Sequence, residues 1–278
     1  MAKPRKEKSA LRENVESIVI AIILAVVMRQ FVVQAFKIPS GSMEETLQIG
    51  DHILVNKFLY RFTGPKLSDV IVFKYPWEDK RDFIKRIVAL PGDQVEIRNK
   101  QVIVNGTPIQ EPYVAPDPRR TRPYHFGPLP VPKKGDEVEI RTDKRLYING
   151  EPVKIPKGMF RPDDHGPPLS GFQTFYRSLF PNKSVTLERP VKSFTVDQDY
   201  YFTLGDNRNN SKDSRYWGFV KSDRIKGKAF FIYWSWDCRA RKFAQHLRCA
   251  TKFAQHVRWD RLGRLLNLTS SSQAVLRE

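Results

Sequence analysis

GDQVEIRNKQVIVNG, from Gly92 to Gly106, sets Val95 and Ile97 in alternation with Glu96 and Arg98, turns at Asn99-Lys100, runs apolar again to Val104 and closes on Asn-Gly. Alternation puts every second side chain on one face of a strand, and Asn-Gly tolerates the positive φ angles of a tight hairpin turn. The stretch reads as strand, turn, strand, turn. It is echoed by GDEVEIRTDKRLYING, Gly135 to Gly150, one residue longer at the central turn. Two copies are too few for a solenoid, so paired hairpins within one β domain are expected. Short runs rich in Val, Ile, Phe and Tyr continue the pattern at Asp69–Tyr75 (DVIVFKY), Phe83–Ala89 and Tyr200–Leu204. The chain therefore reads as mostly β, with an antiparallel β-sheet domain over 37–236. Pro108 to Pro132, dense in proline, reads as loop, and Met159 to Pro181, without periodicity, as an exposed insertion.

Upstream the pattern is different. Ile18 to Met28 is unbroken apolar sequence, preceded by Lys3, Arg5, Lys6, Lys8 and Arg12. Phe31, Val32, Val33, Ala35 and Phe36 extend it past Arg29, which can snorkel, to the roughly 20 residues a bilayer requires. The preceding basic cluster is a positive-inside signal. The expectation is a basic cytoplasmic N-terminus over 1–16, a single transmembrane helix over 17–36, and a domain on the far side of the membrane. A cleaved signal peptide competes, since Val33-Gln34-Ala35 loosely imitates a small-x-small site. The extra apolar turn beyond Arg29 favours retention.

With 278 residues, 40% apolar and 12% aromatic, the chain can build a substantial core, which excludes disorder for most of it. A net charge of +18 points to a polyanionic neighbour, nucleic acid or an acidic membrane surface. A nucleic-acid surface would interleave basic and stacking aromatic residues, and no such motif occurs, so no nucleic-acid partner is expected. After Trp236 the composition turns to Arg, Lys, Gln and His, with Phe243, Leu247, Phe253, Val257, Leu262 and Leu265 near helical spacing. Residues 237–278 read as a basic amphipathic helical tail, carrying the duplication KFAQHLR and KFAQHVR at Lys242 and Lys252, suited to anionic lipid head groups. Cys238 and Cys249 are too few for a disulfide framework, and on one helix they would lie about 16 Å apart. His246, Cys249 and His256 fit no standard zinc spacing, so neither metal nor cofactor is expected.

Three segments could carry chemistry. Ile38 to Asp51, IPSGSMEETLQIGD, contains a Ser-Gly-Ser turn in which Gly41 permits unusual backbone angles and Ser42 can enter a cleft. A serine nucleophile needs a base, and the five histidines stand in no triad context. A lysine serves if burial brings its pKa from about 10.4 toward 7 to 8, at roughly 3 to 5 kcal/mol. Lys85, in the apolar run Phe83 to Leu90, meets that condition, with Arg86 on the opposite strand face; two solvated charges on an edge strand are the bland alternative. The third segment, GDNRNNSKDSRYWGFV from Gly205 to Val220, sets Asp206, Arg208, Asp213 and Arg215 around Ser211 and Ser214, so that carboxylate–guanidinium pairs can pin the loop.

Taken together, PSGSM with the following TL and GD, then DVIVFKYP, IKRIVALPGD and GDNR..S.DSRYWG resemble, in order and spacing, the bacterial type I signal peptidases. The resemblance covers the anchor and Ile38 to Tyr233. It implies a membrane-anchored serine–lysine endopeptidase that removes signal peptides from exported preproteins, cutting after small residues at positions −1 and −3. By position it makes Ser42 the nucleophile, Lys85 the general base, Ser40 with the Ser42 N–H the oxyanion hole and Ser211 the residue orienting the base. Asp206, Arg208, Asp213 and Arg215 then hold the loop beside the site. It also implies a bacterial inner membrane location with the catalytic domain on the extracytoplasmic face. Phe36 and Ile38 are candidates to line the −1 and −3 pockets. Glu45 stands where the family commonly has proline and Asn209 where it often has aspartate; neither is a catalytic position. A relative dedicated to one exported protein is the nearest alternative. A self-cleaving repressor would carry a DNA-binding head where this chain has an apolar run.

Overall fold

The computed structural model describes residues 10–116, 125–141, 145–154, 192–237 and 253–266. Fifteen strands occur among them: β1 (Val33–Lys37), β2 (Asp51–Asn56), β3 (Val70–Lys74), β4 (Asp82–Ala89), β5 (Gln94–Arg98), β6 (Gln101–Val104), β7 (Thr107–Pro108), β8 (Phe126–Pro130), β9 (Glu137–Ile140), β10 (Leu146–Ile148), β11 (Glu151–Val153), β12 (Lys192–Thr195), β13 (Tyr200–Leu204), β14 (Val220–Lys221) and β15 (Ile225–Ser235). They form a seven-stranded sheet in the order β1-β2-β15-β3-β4-β13-β14 and two four-stranded sheets, β7-β6-β5-β8 and β11-β10-β9-β12. The expected mostly β, antiparallel fold is what the chain adopts.

The two sequence repeats build the two smaller sheets, and they do so with the same hydrogen bonds. In the first, the Asp93 carboxylate accepts from the Leu90 N–H at 2.7 Å and from Asn105 Nδ2 at 2.8 Å, while Asn105 Oδ1 accepts from the Gln94 N–H at 2.8 Å. In the second, Asp136 accepts from Lys133 N–H and Asn149 Nδ2, both at 2.9 Å, and Asn149 Oδ1 from Glu137 N–H at 2.8 Å. Asn105 and Asn149 both sit at φ 51°. That left-handed conformation is the reason for asparagine at the turn. The apolar faces of both hairpins, through Val95, Ile97, Val102, Val138, Leu146 and Ile148, share one core with Tyr200, Phe202 and Phe219.

Three expectations need correction. First, the proline-rich stretch is not all loop, because Phe126–Pro130 is β8, paired with β5. It stands at a sheet edge, where a proline without an N–H costs no ladder bond. Second, the helix expected over 17–36 ends sooner. Helix α1 (Ala10–Val27) passes into one π turn, Met28–Val32, and the chain is extended from Val33. There β1 pairs with β2, Phe36 opposite Ile53, so the sheet ladder satisfies this backbone in place of a helix. Ile18, Ile20, Ile22, Leu24 and Val26 are exposed, yet α1 begins with Arg12, Glu13 and Glu16. Among the described residues no helix is long and apolar enough to cross a membrane.

Third, the described part of the tail is not one amphipathic helix. It holds a single helical turn, Phe253–His256, and then lies along β15, with bridges Trp236–Val257 and Phe231–Leu265 and a bond from Ile232 N–H to the Arg264 carbonyl at 3.0 Å. Burial of Val257, Arg261 and Leu266 favours this packed path over a helix on the surface. Cys238, Cys249, His246, the first duplicated segment and Met159–Pro181 lie outside the described residues.

Candidate active site

The loop joining β1 to β2 is closed by Ile38 N–H to the Asp51 carbonyl at 2.8 Å and Gly50 N–H to the Ile38 carbonyl at 3.0 Å. Met43 and Leu47, both fully buried, plug it into the core with Ile38. Hydrophobic anchoring of the residues around it fixes where Ser42 stands. Ile38, expected near a pocket, is itself core, and Phe36 packs against the same cluster. Ser40 is exposed.

Lys85 lies in β4, an interior strand between β3 and β13, which removes the edge-strand alternative. Alternation along β4 and its register with β3 put Lys85 on the face of Ile71, Phe73, Phe83 and Ile87, and Arg86 on the other. Lys85 Nζ lies 2.7 Å from Ser42 Oγ and donates to the Ile84 carbonyl at 2.8 Å. Burial lowers its pKa to about 8, against the opposing pull of the Asp213 and Asp206 carboxylates.

The third segment delivers the charges. Asp206 is fully buried and accepts from Arg86 Nε at 2.9 Å and Nη2 at 2.7 Å, while Thr46 Oγ1 donates to it at 2.5 Å. Asp213 accepts from Arg215 Nε and Nη2, both at 2.7 Å, and from the Gly205 N–H at 3.1 Å. Burial alone would raise the Asp213 pKa, but the Arg215 guanidinium and these hydrogen bonds hold it below the ordinary carboxylate range. It also caps the short helix α2 (Ser214–Trp217). Arg208 pairs with Glu111 and donates to the Gly205 carbonyl at 2.9 Å. Asn207 clasps the serine turn, its N–H to the Ser42 carbonyl at 3.1 Å and its Nδ2 to the Gly41 carbonyl at 3.1 Å.

Ser211 Oγ is buried beside Gly205 and makes no hydrogen bond to Lys85. A Cβ at Gly205 would come within 2.2 Å of Ser211 Oγ and 2.5 Å of the Ser42 carbonyl oxygen. Only glycine fits that crossing of the two segments.

The structure thus gathers Ser42, Lys85, Ser211, Asp206, Arg208, Asp213 and Arg215, and adds Thr46, Arg86, Glu111 and Asn207. Arg86 and Thr46 lay within quoted motifs, whereas Glu111, in the proline-rich stretch, carried no sequence signal. A seryl oxygen in contact with a buried amine of depressed pKa is chemically able to lose its proton to that amine.

The family model for signal peptidase, peptidase S26, matches residues 11–133 and 130–234, and the chain belongs to that family. Signal peptidase I of Aquifex aeolicus is 34% identical over 237 residues, 81% of this chain and 85% of that protein. Signal peptidase I of Pseudomonas aeruginosa is 34% identical over 77% of this chain and 69% of its own. A probable signal peptidase I-2 of Synechocystis is 31% identical over 82% and 78%. A crystal structure of a signal peptidase I from Enterococcus faecalis V583 overlaps 60% of this chain and 97% of that one at 22% identity and a TM-score of 0.31. The chain is a signal peptidase I-type hydrolase.

Proposed function

We propose that this enzyme is a membrane-anchored endopeptidase in which Ser42 attacks the peptide carbonyl and Lys85 is the general base. The 2.7 Å contact between Lys85 Nζ and Ser42 Oγ is the observation that carries the reading. With the amine neutral, the contact reverses and Oγ–H donates to Nζ. Proton transfer leaves an alkoxide to form the acyl-enzyme, and the lysine then returns the proton to the leaving amine. Water, deprotonated by the same amine, hydrolyses the ester. Among the described residues no acceptor takes the Ser42 backbone N–H, which supports its use, with the Ser40 hydroxyl, against the developing oxyanion. Ser211, Asp206, Arg208, Asp213 and Arg215 hold the site.

The substrates on this reading are preproteins cut after small residues at −1 and −3. The apolar run from Ile18 to Val32, carried by α1 together with the π turn after it, anchors the protein in a bacterial inner membrane and β1 onward lies on the extracytoplasmic face. Purified full-length protein in detergent, given a preprotein with an Ala-x-Ala site, should yield a product whose mass marks cleavage after the second alanine. No cleavage of several preproteins by folded protein would sink the reading. In the same assay Ser40→Ala should lose about 100- to 1000-fold in kcat, the usual effect of one oxyanion donor, without abolishing cleavage.

A further inference from the structure

The nucleophile loop is fastened at its far end by a segment more than 200 residues away in sequence. Arg261, only 3% exposed, grips the fully buried Asp51 carboxylate with Nε at 3.1 Å and Nη2 at 2.6 Å, and Nη2 also donates to the Thr46 carbonyl at 3.0 Å. Arg258 adds Nη1 to Gln48 Oε1 at 2.7 Å, Nη2 to the Ile49 carbonyl at 2.8 Å and Nε to Ser235 Oγ at 2.7 Å. Ser235 Oγ donates in turn to Asp51 at 2.6 Å. Four of the six residues from Thr46 to Asp51 are thus held directly by two arginines of the tail. The hold continues toward the chemistry, because Thr46 Oγ1 donates to Asp206, the carboxylate that fixes Arg86 next to Lys85.

We infer that Arg258 and Arg261 are positioning residues, which act through loop residues 46–51 to keep Ser42 within reach of Lys85. The inference rests on the Ser42–Lys85 reading above. A guanidinium can give two parallel bonds to a carboxylate and a third to a carbonyl, whereas an ammonium is a single point charge. The geometry at Arg261 uses that fork. Basic residues at these two positions therefore serve the inside of the protein, not a lipid surface.

The test compares full-length wild type, Arg261→Ala, Arg261→Lys and Arg258→Ala on an Ala-x-Ala preprotein, with Ser42→Ala as the zero and a melting curve for each. Misplacement of a reacting group by about 1 Å costs on the order of 100-fold, so Arg261→Ala should lower kcat by about that much with KM little changed. Arg258→Ala should show a smaller fall of the same kind. Arg261→Lys should restore part of kcat, and millimolar guanidinium added to Arg261→Ala should restore part as well. A lower melting temperature with kcat and KM of wild type in Arg261→Ala would overturn the inference, leaving a purely structural clamp. Should Arg261→Ala fail to melt cooperatively, Arg261→Lys decides: a depressed kcat in a folded protein supports positioning, and wild-type kcat refutes it. If wild type cleaves no preprotein, the peptidase reading fails first and this inference falls with it.

Discussion

Lys85→Met is expected to abolish preprotein cleavage while raising the melting temperature at pH 7. Activity disappears because, among the described residues, no other base touches Ser42 Oγ; loss of a member of a nucleophile–base unit in a serine peptidase costs on the order of a million-fold. Stability rises because a fully buried lysine with pKa about 8, against 10.5 unfolded, opposes folding at neutral pH. The difference corresponds to about 3 kcal/mol, before subtracting the hydrogen bonds to Ser42 and Ile84. The sign follows from proton counts. Between pH 8 and 10.5 the unfolded chain holds more protons than the folded one, so wild-type stability climbs with pH there and the advantage of Lys85→Met shrinks. Thermal melts at pH 7 and pH 10, with product mass spectrometry, check both halves. Cleavage retained by Lys85→Met would place the base elsewhere.

Asp206→Ala should be the most damaging single change outside the dyad. It leaves the Arg86 guanidinium, 4% exposed and stacked 3.8 Å from the Tyr113 ring centroid, as an uncompensated buried charge. Breaking a buried ion pair from one side costs about 3 to 5 kcal/mol, a large share of the roughly 5 to 15 kcal/mol that keeps an ordinary protein folded. The double change Arg86→Met with Asp206→Leu should recover much of that loss, since an apolar pair of similar volume needs no desolvation. It should not recover activity, because Thr46, in the loop that carries Ser42, loses its acceptor on the Gly205–Val220 segment. Denaturant melts of the single and double variants separate the two effects. A double variant no more stable than Asp206→Ala would contradict the account.

How much was legible follows from the kind of signal each region carried. The hairpin repeats declared themselves because alternation and Asn-Gly turns are local properties, and the paired Asp93–Asn105 and Asp136–Asn149 bonds bear out the duplication. Lys85 and Arg86 on opposite faces needed only strand alternation. What sequence could not supply was partnership across long separations. Asp206 and Arg208 were expected to pin their own loop, yet Asp206 is held by Arg86 and Arg208 by Glu111, each about a hundred residues away. The tail misled for a related reason. Its basic residues at near-helical spacing suit a lipid surface, but two of the arginines find a buried carboxylate at Asp51, which no periodicity reveals. At the N-terminus, hydropathy did not distinguish the end of α1 from β1, because Val33, Ala35 and Phe36 suit a strand as well as a membrane helix.

The pH dependence of kcat/KM on an Ala-x-Ala preprotein tests the central claim most directly. With Lys85 as the proposed base, the neutral amine is the active form, so the rate should rise tenfold per pH unit below the lysine pKa, bend near pH 8 and level above it. A bend near 6.5, the ordinary range of histidine, or a rate flat from pH 6 to 9 would contradict a buried lysine as the base of this peptidase.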